Sequence, residues 1–407
     1  MIAGIIAEYN PFHNGHLYQI NKIREEFGSA TGIIACISGG ITQRGELPLL
    51  DKWQRASLAI NNGVNLVLEI PAVFACRSAQ HFAFGGISLL NRLGVVHRLV
   101  FSTEYPDIEL LGKAASWDIT AHNEQLHHLL RQGKSYAGAI AQSMANSLGI
   151  DMNILKEPNT ILGIEYLRAL DLLSSPIEPW PIKRAGTRHN DLHSLNSFAS
   201  GTAIRRMMAA NNMEGLKKVV PTATFKTLAN IAHKAPPSLE ALYPGLQLKL
   251  LTASPEQLRE IYSINEGIEY KLKEAACAPS FKEFIQSLVG KRYQRTRMNR
   301  LIYYILLDMN KELLQEADCN GVEYARVLAF DSRGRELIKS IKGAADIPVI
   351  TKVTQYMTRR DFINNSLATR LRRQLYYDIQ YNNLYQLCQG TPELNKDFTR
   401  SPIYIHQ

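Results

Sequence analysis

Two histidines, His13 and His16, stand three residues apart where an apolar strand pattern gives way to a helix pattern. On a helix that spacing turns both rings to one side. Gly15 between them puts no side chain in the way of a ligand. A helix N-terminus offers unpaired N–H groups and a partial positive charge. Together these make a place for a phosphate chain whose charge grows during reaction. As plain structure, the same residues are a strand–turn–helix with two surface histidines, and His-x-Gly-His is a short pattern. Its place at the first strand-to-helix junction of the chain favours the chemical reading. A second group is Ser200-Gly201-Thr202-Ala203-Ile204-Arg205. Ser200 or Thr202 suits a helix N-cap, and Arg205 falls one turn inside. Either this is a capped helix with a solvent arginine, or Ser200, Thr202 and Arg205 grip phosphates opposite the histidines.

The elements that must position these residues follow from the apolar runs. Ile2 to Ala7, Gly32 to Ser38, Leu66 to Ile70 and Arg98 to Ser102 read as strands, and Pro181 to Arg184 as a fifth. Helix patterns at Asp51 to Asn61 and Phe82 to Leu93 separate them, and a helix follows the break at Pro158-Asn159. This alternation predicts an α/β chain with a doubly wound parallel sheet and ligands at the carboxyl ends of its strands. The chemically interesting residues lie there: the histidines, Ser38-Gly39-Gly40, Thr103-Glu104 and Arg184. From about residue 215 helical patterns dominate. Tyr324 to Phe330, Gly334 to Ile341 and Ile347 to Thr351 read as a small α/β insertion. We therefore divide the chain into a catalytic, nucleotide-binding part (1–215) and a mostly helical, basic part (216–407).

The 407 residues carry a net charge of +9, with 45% hydrophobic and 20% charged residues, the balance of a globular protein. No apolar run reaches the ~18 residues of a membrane span, and no basic leader precedes the first strand, so the expected compartment is the cytoplasm, with no membrane partner. The five cysteines are scattered and form no C-x-x-C pair, so neither disulfides nor a zinc site are expected. No carboxylate cluster marks a protein-bound metal. The positive charge points to a polyanion. Lys282, Lys291, Arg292, Arg295, Arg297 and Arg300 interleave with Phe281, Phe284 and Tyr293, which suits phosphate contacts with base stacking. Arg359, Arg360, Arg370, Arg372 and Arg373, near Tyr376 and Tyr377, form a second such run. Gln43-Arg44-Gly45, with Lys52 and Arg55 behind it, reads either as a solvated loop and helix face or as Arg44 reaching a ligand.

His-x-Gly-His followed by Ser-x-Thr-x-Ile-Arg is similar to the paired signature of the nucleotidyltransferases related to class I aminoacyl-tRNA synthetases. The resemblance implies attack on the α-phosphate of a nucleotide, with pyrophosphate leaving. Glu8-Tyr9-Asn10-Pro11-Phe12-His13-Asn14-Gly15-His16, Gln43-Arg44-Gly45-Glu46, the run from Pro158 to Tyr166 and Ile182-Lys183-Arg184 resemble the bacterial tRNA(Met) cytidine acetate ligases. So do Arg326 to Phe330 and the tail from Phe398 to Pro402.

That family activates acetate with ATP as acetyl-adenylate and acetylates N4 of the wobble cytidine of elongator tRNA(Met). The resemblance implies ATP contacts from Ile6, Ala7, Glu8, Tyr9, Asn10, Pro11, Phe12, His13, Asn14, Gly15, His16, Leu17, Tyr18 and Gln19. It adds Asn159 and Arg184, with Ser102, Ser200 and Thr202 alongside. His13, His16 and Arg205 are the expected catalytic groups. Arg44, Lys291, Arg292, Arg295 and Arg297 are the expected tRNA contacts, and Mg²⁺ is expected on the triphosphate. Three places depart from the family pattern. Ser102 stands for a glycine near the adenosine and is expected to crowd it. Gly40 stands for an asparagine and is expected to enlarge an acetate pocket near Tyr9. His189-Asn190-Asp191 stands for Tyr-His-Asp. A nucleotidyltransferase making a dinucleotide cofactor, or a catalytically silent RNA-binding relative, also fits the two motifs.

Overall fold

Along the second strand, Ile33, Ala35 and Ile37 enter one apolar core while Ile34 and Cys36 enter another. Successive strand side chains point to opposite faces, so this strand is sandwiched between two layers of helices. The structure is a computed structural model. It describes residues 1–134, 136–185, 197–265, 267–290, 293–390 and 392–406, with only the backbone of Tyr136 and Ala137. His189-Asn190-Asp191 lie outside the described residues.

In chain order the elements that matter here are β1 (Ile2–Ala7), α1 (Asn14–Phe27), β2 (Gly32–Ser38), α2 (Lys52–Asn61), β3 (Leu66–Ile70), α3 (Ala79–Arg92) and β4 (Arg98–Thr103). They continue with α4 (Pro158–Leu172), β5 (Glu178–Lys183), α5 (Gly201–Ala209), α6 (Met213–Val219), α7 (Thr222–Ile231) and α8 (Arg295–Leu306). The last are β6 (Ala325–Phe330), α9 (Ser332–Ala344), β7 (Val349–Ile350), α10 (Arg370–Leu387) and β8 (Ile403–Tyr404). The strand order is β5-β4-β1-β2-β3-β6-β7, with β8 also on β6. The first five strands are parallel throughout. The order reverses between β1 and β4, so a crevice opens at their carboxyl ends.

Asp51 caps α2, accepting from the Gln54 amide at 2.8 Å. Pro158 opens α4, where its missing N–H is no loss. β5 begins three residues earlier than predicted, at Glu178. Its Pro179 and Pro181 are tolerated because it is the edge strand of the sheet.

The α/β stretch of the second half extends the first sheet. β6 pairs antiparallel with β3, covering an edge that would otherwise stay open. A buried charge cluster fastens this junction. Lys52 Nζ lies 2.7 Å from Glu69 and 2.6 Å from Asp397, and Arg326 lies 3.1 Å and 2.7 Å from the same two carboxylates. Lys52 and Arg55 are therefore not charges on a solvated helix face; neither has any exposed surface. Arg55 donates to the carbonyls of Leu50, Glu8, Ser38 and Gly39, binding the ends of β1 and β2 together. Among the described residues no helix is long and apolar enough to cross a membrane.

Candidate active site

His13 is the N-cap of α1, and its Nδ1 accepts from the Gly15 amide at 3.1 Å. His16, one turn on, returns the favour: its Nδ1 accepts from the His13 amide at 3.2 Å. The two histidines thus form a reciprocal capping box, a role normally taken by short polar residues. With both Nδ1 atoms accepting, a neutral imidazole must carry its proton on Nε2. The rings stack with centroids 3.7 Å apart at 17°. A Cβ at Gly15 would sit 2.9 Å from His13 Cε1, so glycine there leaves room for the ring itself. Tyr9, at φ 50°, packs edge-on against His16 with centroids 4.9 Å apart. That left-handed conformation is uncommon for a bulky residue and marks the turn as functionally constrained.

Burial holds His13 down to about 3, with the Arg184 guanidinium acting in the same direction. Burial also lowers His16 well below its ordinary value, followed by the effects of His13 and Arg184. Both rings are therefore neutral donors at physiological pH. They are aligned at the positive end of a helix, ready for an anion.

The histidines line a cavity of about 840 Å³, near the upper end of the ~300–1,000 Å³ usual for a ligand site. It lies at the carboxyl ends of β1 and β4, where the strand order reverses. Ile6 and Ala7 at the end of β1 and Glu8, Tyr9, Asn10 and Pro11 after it line the cavity, with Gly15 and Gln19 on the α1 side. Ser102, Asn159 and Arg184 come from the ends of β4, α4 and β5. Ser200, Thr202 and Arg205 close the far wall, and Arg44 stands exposed at the mouth.

Four residues of the first motif are not on the cavity wall. Phe12 is fully buried, with its ring 5.4 Å from that of His16. Asn14 Nδ2 donates to the carbonyls of Ser197 at 2.8 Å and Lys218 at 3.0 Å. Leu17 and Tyr18 pack against the core on that side.

Supporting contacts explain the shape. Arg205 donates to the Asn10 carbonyl at 3.0 Å and pairs with Glu46 at 2.7 Å, so it braces the turn after β1 as well as facing the cavity. Ser200 caps α5 by accepting from the Ala203 amide at 3.2 Å. Glu104 accepts from Asn159 Nδ2 at 2.6 Å and the Thr160 amide at 3.0 Å, holding the N-terminus of α4. Burial raises the Glu8 carboxyl, opposed by the bond it accepts from the Gln43 amide at 2.5 Å.

One expectation fails, and a second is narrowed. Gly40 does not open a carboxylate pocket. A Cβ there would lie 2.7 Å from the Tyr381 carbonyl and 2.9 Å from Asn382 Cα, and neither Ser38 nor Gly40 lines the cavity. Glycine is present because α10 crosses at that point. Most of the aromatic residues among the basic runs are not free to stack on bases either, while Phe281 and Tyr376 keep part of their surface exposed. Phe284, Tyr293 and Tyr377 are buried. Several of the accompanying arginines are paired within the chain, while Lys282, Arg359 and Arg360 are exposed. Arg297 donates to the Ser263 carbonyl and to Asn265 at 2.8 Å, Arg370 pairs with Glu323, and Arg373 pairs with Glu316. Arg295 is exposed at the start of α8, and Lys291 and Arg292 lie outside the described residues. The wall also contains Gln294 and Thr296, which no sequence signal marked, and Arg300, whose Nη1 donates to the Gln43 carbonyl at 3.3 Å.

The family model described as HIGH Nucleotidyl Transferase matches residues 1–399. Among curated proteins, a tRNA(Met) cytidine acetate ligase of Alkaliphilus metalliredigens is 34% identical over 427 residues, spanning 99% of this chain and 98% of the relative. One of the same name from Syntrophomonas wolfei is 34% identical over 419 residues, spanning 99% of both chains. The chain belongs to the tRNA(Met) cytidine acetate ligase family. A crystal structure of Thermotoga maritima TmcAL bound with alpha-thio ATP matches with TM-score 0.87 and 30% identity, covering all of both chains. The family fold and the α/β class read from the sequence therefore agree, and a family member binds an ATP analogue on this architecture.

Proposed function

We propose that this chain is an ATP-dependent ligase that activates acetate as acetyl-adenylate and acetylates N4 of the wobble cytidine of elongator tRNA(Met). The observation that carries this reading is the stacked histidine pair that caps a helix N-terminus in the switch-point cavity. In the first step an acetate oxygen attacks the α-phosphorus of ATP, and the bond to pyrophosphate breaks. His13 and His16 donate from Nε2 to the phosphate oxygens on which charge builds. Donors fixed before the reaction need no reorganisation as that charge appears. Ser200, Thr202 and the free amides of α5 face the phosphates from the other wall, and Arg205 keeps that wall against the turn after β1. Asn159, Ser102 and Arg184 lie where the nucleoside and α-phosphate would run. In the second step the cytidine amine attacks the acetyl carbonyl carbon. The carbonyl–phosphate bond breaks, AMP leaves, and the amine gives up one proton to solvent.

Among the described residues no group of three or more His, Cys, Asp or Glu could hold a metal ion. Glu8, Glu46 and Glu104 each already accept from a neighbour. Mg²⁺ would therefore enter on the phosphate oxygens of ATP, where it supplies charge neutralisation. Residues 1–215 handle the nucleotide, residues 216–407 add a cavity wall through α8, and contacts to tRNA fall on both sides of that boundary.

The experiment is pyrophosphate–ATP exchange with purified protein. Exchange that requires acetate and proceeds without tRNA supports the reading. Exchange that ignores acetate would identify a plain nucleotidyltransferase instead.

A further inference from the structure

In the basic runs singled out in the sequence, Arg297, Arg370 and Arg373 are tied to neighbours, while Lys282, Arg295, Arg359 and Arg360 are exposed; a further stretch of exposed positive charge adjoins the cavity. Between residues 200 and 237 the chain has six lysines and arginines and one acidic residue, Glu214. Arg205 is spent on Glu46 and Asn10. The other five, Arg206, Lys217, Lys218, Lys226 and Lys234, are all exposed. None of them has an ion-pair partner among the described residues. The first four sit on α5, α6 and α7, and Lys234 on the turn that follows α7; the helices are anchored by Ile204, Leu216, Val219 and Leu228, which are buried in the core beneath. The cations are thus presented by a fixed surface.

That surface adjoins the cavity. Ser200, Gly201 and Thr202 of the same segment line it. The Lys218 carbonyl accepts from Asn14 Nδ2 at 3.0 Å, one residue from the His13 cap. A polyanion lying on α5–α7 would therefore run up to the rim beside the histidines.

We propose that the exposed face of α5–α7 docks the phosphate backbone of an RNA stem through Arg206, Lys217, Lys218, Lys226 and Lys234, so that an unpaired loop base reaches the cavity. The proposal rests on the ligase reading above. RNA stems are gripped through phosphate and shape, whereas loop bases are splayed out and read individually. A base delivered into the cavity needs its stem held outside, on rigid positive charge close to the opening. This face supplies that charge, and its uncompensated sign matches an RNA backbone.

The test replaces Lys217, Lys218 and Lys226 together by glutamine in the full chain. Binding of elongator tRNA(Met) is measured from 50 to 300 mM salt. Three lost phosphate contacts should weaken binding at least about ten-fold and make the slope of log affinity against log salt shallower by about 2–3. Lys→Arg replacements at the same three positions should restore both. Acetate-dependent pyrophosphate exchange reports whether the fold and the adenylation site survive. If the triple variant loses exchange, Lys226→Glu alone, at an exposed helix position, gives the same reading. Unchanged affinity and slope would overturn the proposal, as would intact tRNA binding with lost binding to phosphatidylglycerol vesicles. Wild-type protein showing acetate-dependent exchange, with tRNA binding indifferent to these lysines, would sink the docking face alone. Absence of acetate-dependent exchange in the wild type would sink the ligase reading itself.

Discussion

His13 does two jobs, and two substitutions separate them. Its Nδ1 caps α1, and in the proposed reaction its Nε2 donates to the phosphates. Asparagine is a good N-cap, so in His13→Asn the Gly15 amide keeps an acceptor. The shorter side chain no longer reaches the phosphates. His13→Ala removes both functions. Loss of a cap costs about 0.5–2 kcal/mol of stability. Loss of one preorganised donor to developing charge lowers turnover about 10²–10³-fold, or about 2.7–4 kcal/mol in the transition state. Denaturant unfolding should then place His13→Asn near wild type and His13→Ala below it. Both variants should show the same large fall in acetate-dependent exchange, in kcat more than in KM for ATP. An asparagine variant with near-wild-type kcat and a raised KM would refute the assigned role. It would show that His13 binds ground state and transition state alike.

The same histidine makes stability depend on pH. Its folded-state value, about 3, lies below the ~6.5 of an unfolded chain. Below pH ~6.5 the unfolded chain takes up a proton that the folded protein refuses, so stability is full above that pH and falls as pH drops towards 3. Relative to His13→Asn, unfolding free energy should decline by about 1.4 kcal/mol per pH unit between pH 6 and 4; a gap that ignores pH would contradict a buried neutral ring. Gly40→Asn should destabilise by about 1–3 kcal/mol through its clash with α10, seen in denaturant unfolding, while leaving the ratio of acetate to propionate specificity constants unchanged. Ser102→Gly should tighten ATP binding by removing a side chain from the nucleoside wall, read by calorimetry; unchanged or weaker binding would place the nucleoside elsewhere.

Local signals in the sequence reached the parts of the site built by short-range structure. The bounds of β1, β2 and β3 match those read from apolar runs, because each run ends at a polar or turn residue that cannot continue a buried strand. The histidine pair was legible because its spacing alone puts both rings on one face. Long-range pairings were not legible. Nothing local to Ala325–Phe330 says that it will pair antiparallel with β3. Lys52 reads as a surface lysine until Glu69 and Asp397, 17 and 345 residues away, are brought to it. Gly40 was misread for the same reason: its neighbour, Asn382, lies far along the chain. Basic runs mislead because charge counts do not reveal that Glu316 and Glu323 neutralise Arg373 and Arg370.

The central claim is that a carboxylate activated in the histidine cavity is passed to a tRNA base. The most direct measurement incubates the protein with ATP, Mg²⁺, labelled acetate and elongator tRNA(Met), then digests the tRNA to nucleosides. The account predicts that label appears in N4-acetylcytidine, in an amount that falls with His13→Asn. Label found only in free acetate and acetyl-adenylate, with the tRNA unmarked, would contradict it.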